Sequence, residues 1–199
     1  MSYLLSLLFG FFIGGLPFGF LIGKTKGIDI RREGSGNIGA TNVYRVLGPF
    51  YGIFTLILDG LKGFLPTLFA SSLSLIGVLV GAGAVLGHLF SPYLRFKGGK
   101  GVTTTFGVLL ALAPVSFLLG VFLWFLIAFL SSYASMASLI MAITFPFLIL
   151  LSMAVGLKEG NLPNLLFTIG IGIGIIFMHR GNIKRLRRGE EPKLKWRRG

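Results

Sequence analysis

The chain has 199 residues, 54% of them hydrophobic and 13% charged, with no cysteine and a net charge of +13. Apolar runs of about twenty residues recur along it, which excludes an ordinary soluble domain and indicates a polytopic all-α membrane protein forming one domain, residues 1–199. The absence of cysteine excludes disulfides, thiolate metal sites and a cysteine acyl-enzyme. The positive charge lies in loops and tail, where cytoplasmic retention accounts for it better than nucleic acid does.

Residues 3–23 form the first expected span. No basic region precedes it and no small-residue cleavage site follows, so it reads as a retained helix and not a signal peptide. Gly15, Gly19 and Gly23 recur every four residues and predict one flat side for close helix packing, while Pro17 predicts a kink. Residues 24–48 are the first long polar stretch and contain GSGNIGATN (34–42), followed by Arg45. Its glycines permit tight turns, and Ser35, Asn37, Thr41 and Asn42 place four short hydrogen-bonding side chains close together, more than a turn requires.

Residues 50–70 and 73–90 are the next two spans, joined by a very short turn at Ser71 and Ser72. Asp59 and Lys62 lie inside the first of them, three residues apart and so on one helical face. Ionisable groups at that depth call for mutual neutralisation or a site role, and both readings remain open. His88, near the end of the second, precedes FKGGKGVTTT (96–105). There glycine N–H groups could converge on one anion, with Lys97 and Lys100 adding charge, the threonines adding hydroxyls and the start of a helix favouring a phosphate. A flexible basic loop is the alternative. Residues 102–130 are apolar with Pro114 near the middle; residues 133–156 and 162–178 complete the spans.

Seventeen of the 19 basic residues fall in three segments, 24–48, 91–101 and 180–199, which should share the cytoplasmic side. Between the second and third segments an even number of crossings is then required, so 102–130 is expected to divide at Pro114 into two spans, with one span and a re-entrant part as the open alternative. The expectation is seven transmembrane helices, the N-terminus outside and the C-terminus, with its basic tail 180–199, in the cytoplasm. GSGNIGATN, FKGGKGVTT and HRGNIKRL then share one membrane face. Their cations and donors (Arg45, Lys97, Lys100, Arg180 and His179, with Ser35, Asn37, Thr41, Asn42 and Asn182) suit phosphates, and no matching acids are present to hold a metal.

Three ordered motifs, GSGNIGATNVYR (34–45), GHLFSPYLRFKGGKGVTT (87–104) and HRGNIKRLRRGEE (179–191), together with the D-x-x-K-G of Asp59 and Lys62, give the chain a full-length resemblance to the bacterial acyl-phosphate-dependent glycerol-3-phosphate acyltransferases. The second motif departs from the family pattern at Ser91, with proline following at Pro92. The resemblance implies transfer of a fatty acyl group from acyl phosphate in the bilayer to the 1-hydroxyl of soluble sn-glycerol 3-phosphate, giving lysophosphatidate and phosphate, the first acylation of phospholipid biosynthesis. It implies a multi-pass protein of the bacterial cytoplasmic membrane with its active site facing the cytoplasm, needing no cofactor, with membrane lipids and the enzyme that makes acyl phosphate as partners. It assigns catalysis to Ser35, His179 and Asn182, phosphate binding to Arg45, Lys97, Gly98, Gly99, Lys100 and Gly101, and a structural role to Glu191.

One residue pattern points the same way independently. Thioester-using glycerolipid acyltransferases carry H-x-x-x-x-D, but five residues after His88 stands Tyr93 and five after His179 stands Lys184. Direct attack by the glycerol hydroxyl is expected, its proton passing to His179 or to a substrate phosphate oxygen; an acyl-Ser35 intermediate is the other route. A phosphate or organophosphate transporter and a lipid-binding scaffold are rival readings of the same basic loops.

Overall fold

The computed structural model describes residues 2–194. The part of the basic tail beyond Leu194 therefore lies outside the described residues. The chain divides at Leu112/Ala113 into two compact units.

The first unit begins with α1 (Ser2–Gly14) and α2 (Phe18–Thr25). Pro17 has no N–H to donate and its ring disfavours an unbroken helix, so residues 15–17 leave the helical path. Carbonyls released there are satisfied from distant segments. Phe12 O accepts from Tyr93 Oη at 3.2 Å, Gly15 O from Ser91 Oγ at 2.6 Å, and Leu16 O from Lys62 Nζ at 2.7 Å. The expected kink is thus a break that three later side chains hold open.

Residues 26–39 are mostly irregular, with a 3-10 turn at Ile30–Arg32, and then α3 (Ala40–Leu47) interrupts the polar stretch with a helix the sequence reading did not anticipate. Gly48 at φ 90° separates α3 from α4 (Pro49–Leu68), which starts on Pro49, where a missing N–H costs nothing. The turn after α4 is longer than two serines, with a 3-10 turn at Ser71–Leu73 before α5 (Gly77–Leu89). A 3-10 turn at Pro92–Leu94 and the glycine loop lead to α6 (Val102–Leu112).

The close helix crossing of this unit joins α1 and α5, with the backbones nearly touching. A methyl group on Gly10 or Gly14 would strike the main chain of Val80 or Ala84, and one on Gly83 or Gly87 would strike Leu7 O or Phe11 O. The glycine face used for helix packing is therefore Gly10/Gly14, one turn before the expected set. Gly15, Gly19 and Gly23 instead lie against Pro92, Ile38 O and Ile28 O, where they admit the two polar loops.

The second unit contains α7 (Pro114–Ser131), α8 (Ala134–Ala154), α9 (Leu162–Met178) and α10 (Arg180–Arg187). Helix α7 opens on Pro114, and its first amides are capped from the α8–α9 loop. Glu159 Oε2 accepts from Val115 N at 2.9 Å, and Oε1 accepts from Ser116 N at 2.8 Å and Ser116 Oγ at 2.6 Å. A carboxylate there satisfies orphan donors and complements the helix dipole. At the other end, Leu194 N donates to Ser132 O at 2.8 Å.

Among the described residues, four stretches are long and apolar enough to cross a membrane: Ser2–Thr25, Gly77–Leu94, Pro114–Ser131 and Ala134–Ala154. Leu162–Met178 with Arg180–Arg187, bent by 57°, makes a fifth if counted as one. Helix α4, which carries Asp59 and Lys62, and the short α6 fall outside that class, so length and apolarity alone do not reach the expected seven.

Candidate active site

The first loop is organised by one side chain. Asn42, on the buried side of α3, accepts from Ser35 N at 2.8 Å through Oδ1. Its Nδ2 donates to Ile30 O at 3.2 Å, Glu33 O at 3.0 Å and Asn37 O at 2.9 Å. Asn42 is 2% exposed, so the expectation that it contacts phosphate is corrected: its amide is spent inside the chain, shaping the loop. Asn37 Oδ1 accepts from Gly39 N at 2.7 Å, an Asx turn feeding the start of α3. Thr41 and Arg45, four residues apart, share the exposed face of α3. Ser35 is half-buried beside them in the chain, its N–H fixed by Asn42.

Aromatic rings hold the cations before this loop. Lys24 and Arg31 approach the Phe20 ring at 5.7 and 4.6 Å, and Lys26 approaches the Tyr51 ring at 4.8 Å. Asp29 forms a two-pronged pair with Arg31 (2.9 and 2.7 Å), and that hydrogen-bonded guanidinium holds its carboxyl well below the usual carboxylate range.

The second loop is held by main chain. Gly98 N donates to Leu89 O at 3.1 Å and Gly99 N to His88 O at 2.9 Å, which closes the carboxyl end of α5. This corrects the expectation that successive glycine amides converge on one anion; these two face the protein. Glycine is needed for close approach, since a methyl on Gly98 would strike His88 O and one on Gly99 would strike the His88 imidazole at Nε2. Gly101, at φ 80°, turns the chain into α6. Lys97 is exposed and Lys100 half-buried. Thr104 and Thr105 point inward, leaving Thr103 as the half-buried hydroxyl of the three.

Both loops meet in one apolar cluster, in which Ile30, Ile38 and Val43 of the first stretch pack with Ile22 and with Leu94 of the second motif. The structure thus brings the first and second motifs together.

The third motif belongs to the second unit. His179, 2% exposed, closes α9, and its Nδ1 lies 2.8 Å from Ile175 O. A carbonyl can only accept, so Nδ1 carries the proton and Nε2 is the basic nitrogen of the ring. Asn182 Nδ2 donates to Glu191 Oε1 at 2.6 Å, and Arg185 Nε donates to Glu191 Oε2 at 2.8 Å. Burial pushes the Glu191 carboxyl up, but the hydrogen bonds from Asn182 and Arg185 more than offset this and hold it below the usual range. Glu191 is therefore a bridge that fixes Asn182. Arg180 is exposed, stacked 4.6 Å from the Phe177 ring. Among the described residues no group of three or more histidines or acids could hold a metal ion.

The chain matches the family described as Glycerol-3-phosphate acyltransferase over residues 4–189. It belongs to that family. Relatives named glycerol-3-phosphate acyltransferase include one from Geotalea daltonii, 44% identical with 98% of each chain covered. Another, from Aquifex aeolicus, is 42% identical over 98% of this chain and 100% of its own. Among solved structures, the chain is similar to PlsY (YgiH), an integral membrane glycerol 3-phosphate acyltransferase, in its glycerol 3-phosphate form. That likeness has a TM-score of 0.88 and 38% identity, covering 98% of this chain and 96% of the other. The lysophosphatidic acid form of PlsY matches with a TM-score of 0.85. As in that member of the acyltransferase family, the chain is an all-helical integral membrane protein.

Sequence reasoning missed Ser91 and Tyr93 as clamps on the first span, and Glu159 as the cap of α7. Their partners lie 76, 81 and 43 residues away. The only sequence signal was negative: a proline break leaves carbonyls, and a helix start leaves amides, that something must satisfy.

Proposed function

We propose that this protein transfers a fatty acyl group from acyl phosphate to the 1-hydroxyl of sn-glycerol 3-phosphate. The products are 1-acyl-sn-glycerol 3-phosphate and inorganic phosphate. The observation that carries the reading is full-length likeness, at 38% identity, to an acyltransferase solved in both glycerol 3-phosphate and lysophosphatidic acid forms. Acyl phosphate as donor is supported by the lack of an H-x-x-x-x-D pair and by basic, glycine-rich loops suited to phosphate.

In the proposed step the glycerol oxygen attacks the acyl carbonyl carbon, a new ester C–O bond forms, and the carbonyl–phosphate C–O bond breaks with the electron pair leaving on phosphate. Phosphate is a good leaving group, so neutralising its charge and orienting the reactants supply much of the rate. Arg45, Thr41, Lys97 and Lys100 are assigned to phosphate binding, with Asn37 and the glycines 98, 99 and 101 shaping the loops, and Arg180 adding charge. Ser35 orients a substrate by hydrogen bonding. His179 Nε2 takes the hydroxyl proton, a role its tautomer supports, and Asn182 is held beside it in the sequence by Glu191.

The chain is read as one integral-membrane acyltransferase domain in the bacterial cytoplasmic membrane, with seven segments, the N-terminus outside and the site facing the cytoplasm. For α7, α8 and α9 the reading of alternate crossings is supported by the Glu159 cap, with the α8–α9 loop at the start of α7, and by the Leu194–Ser132 bond, with the C-terminal side at its end. Helix α6, 11 residues and so roughly 16 Å long, enters as a short or re-entrant segment. Membrane lipids and the enzyme that makes acyl phosphate are its partners at the membrane surface.

The test is lysophosphatidate formation by the purified protein from labelled glycerol 3-phosphate, with acyl phosphate, acyl-CoA or acyl carrier protein supplied in parallel. Product with acyl phosphate alone is expected. Product only with a thioester would refute the donor assignment, and uptake of glycerol 3-phosphate into proteoliposomes without any donor would favour transport.

A further inference from the structure

Three buried polar residues of the first unit have no part in the reaction as derived above. Asp59 and Lys62 pair at 2.8 Å, each side chain 2% exposed, and Lys62 Nζ also donates to Leu16 O at 2.7 Å, in the break of the first span. His88, 5% exposed, turns Nδ1 toward Asp59 Oδ1 at 3.8 Å. Its other nitrogen, Nε2, lies against Gly99, whose N–H in turn caps His88 O. A line of close approaches therefore runs from the break, whose carbonyls are also held by Ser91 and Tyr93 of the second motif, through Lys62, Asp59 and the His88 ring to the glycines of the second loop, the Asp59–His88 step being longer than a hydrogen bond. Simple neutralisation explains Asp59 and Lys62, but not why the pair is tied to a main-chain carbonyl at one end and faces an imidazole at the other.

We infer that Asp59, Lys62 and His88 are positioning residues, a buried relay that fixes the FKGGKG loop relative to the first-span break and thereby sets affinity for the phosphate-bearing substrate. The inference rests on the acyltransferase reading for its kinetic readout, but its structural readout is independent of it. The His88 ring acts as a spacer of fixed thickness: remove it and Gly99 loses its support, thicken Gly99 and the two collide. Misplacing a binding loop by about 1 Å can cost up to about a hundredfold in rate, so effects of tenfold or more are expected on KM.

The experiment uses the full chain in detergent or liposomes, with five variants: His88→Ala, His88→Gln, Gly99→Ala, the His88→Ala/Gly99→Ala double, and the double Asp59→Leu/Lys62→Met. The last replaces both charges by apolar groups of similar size, which avoids a lone buried charge. KM and kcat for glycerol 3-phosphate are measured beside hydrogen–deuterium exchange of residues 96–101. The expected result is a KM about tenfold higher and faster exchange of that segment in His88→Ala and in Asp59→Leu/Lys62→Met, without a matching fall in unfolding temperature. Gly99→Ala alone is expected to be worse than when combined with His88→Ala, because the smaller side chain makes room for the added methyl, and His88→Gln is expected to recover much of the wild-type KM. Unchanged KM and unchanged exchange in folded variants, or activity that falls only in proportion to folded protein, would overturn the inference. If the wild type shows no acyl transfer, the proposed function fails, while exchange at residues 96–101 still decides the relay. Should the Asp59/Lys62 double not fold, the His88–Gly99 cycle decides it.

Discussion

The two polar loops of the first unit are held by opposite means. GSGNIGATN hangs on a side chain: Asn42 reaches four main-chain groups from Ile30 to Asn37. FKGGKG hangs on its own main chain, with Gly98 and Gly99 closing the end of α5. A loop built around one side chain is vulnerable at that residue and tolerant elsewhere. A loop built on backbone approach is vulnerable wherever a Cβ appears, and indifferent to its exposed side chains.

The contrast is sharpest at Gly98. A methyl there would strike His88 O, which is main chain and cannot swing aside, so both capping bonds must lengthen. Gly98→Ala is expected to lower kcat/KM by about a hundredfold or more through loop displacement, measured as lysophosphatidate formation by folded protein. Activity near wild type would mean the loop does not need its close seat.

Asn42→Ala is the corresponding break in the first loop. It strands the Ser35 N–H and up to three carbonyls, and an unsatisfied buried group costs about 1–3 kcal/mol, so a drop of roughly that size in unfolding free energy is expected together with loss of activity. Asn42→Asp discriminates further. It keeps an acceptor for Ser35 N but turns a carboxylate onto the carbonyls of Ile30, Glu33 and Asn37, and is expected to be no better than alanine. A stable, active Asn42→Asp protein would show that the amide hydrogens are dispensable.

Much of this architecture was legible in the sequence, for reasons that the two loops make plain. The motifs announced themselves as polar, glycine-rich islands among apolar runs, and the Pro17 and Pro114 breaks follow from proline chemistry. Asp59 and Lys62 are three residues apart, so their pairing could be read directly. What could not be read was which polar groups face inward. Nothing local distinguishes Asn42 from Asn37, since its role is set by Ile30 O, twelve residues earlier. The glycines of FKGGKG look alike whether their amides point at an anion or at α5. Helix α3 was missed because the stretch 40–47 mixes Thr41, Asn42 and Arg45 with residues of weak helix preference such as Val43, Tyr44 and Val46, and its packing against α4 at Gly52 overrides that local preference.

Glu159 extends the comparison beyond the loops, because it too organises main chain through a side chain, yet lies away from the motifs in sequence. Burial pushes its carboxyl up, but donation from Ser116 Oγ, the Val115 and Ser116 amides and Ser152 Oγ wins and holds it below the usual range. A carboxyl depressed in the folded state contributes stability that is present above the ordinary glutamate range and is lost as pH falls through the depressed value. Glu159→Gln is expected to lose about 1–3 kcal/mol at neutral pH, where charge-assisted bonds are replaced, and to flatten the acid limb of the unfolding temperature. KM for glycerol 3-phosphate is expected to stay unchanged, in contrast to both loop variants.

The smallest effect is expected where the backbone-held loop shows an exposed side chain to solvent. Lys97 is exposed, and its N–H, not its ammonium, ties it to Leu94 O at 3.1 Å. Lys97→Met should therefore leave the unfolding free energy within about 0.5 kcal/mol of wild type. Its contribution is the field it adds for an anionic substrate, and that field is screened over about 8 Å at physiological salt. KM should rise severalfold at low ionic strength, and the two proteins should converge as salt is added. A shift in unfolding temperature equal to that of Gly98→Ala would mean that the second loop, like the first, depends on a side chain for its shape.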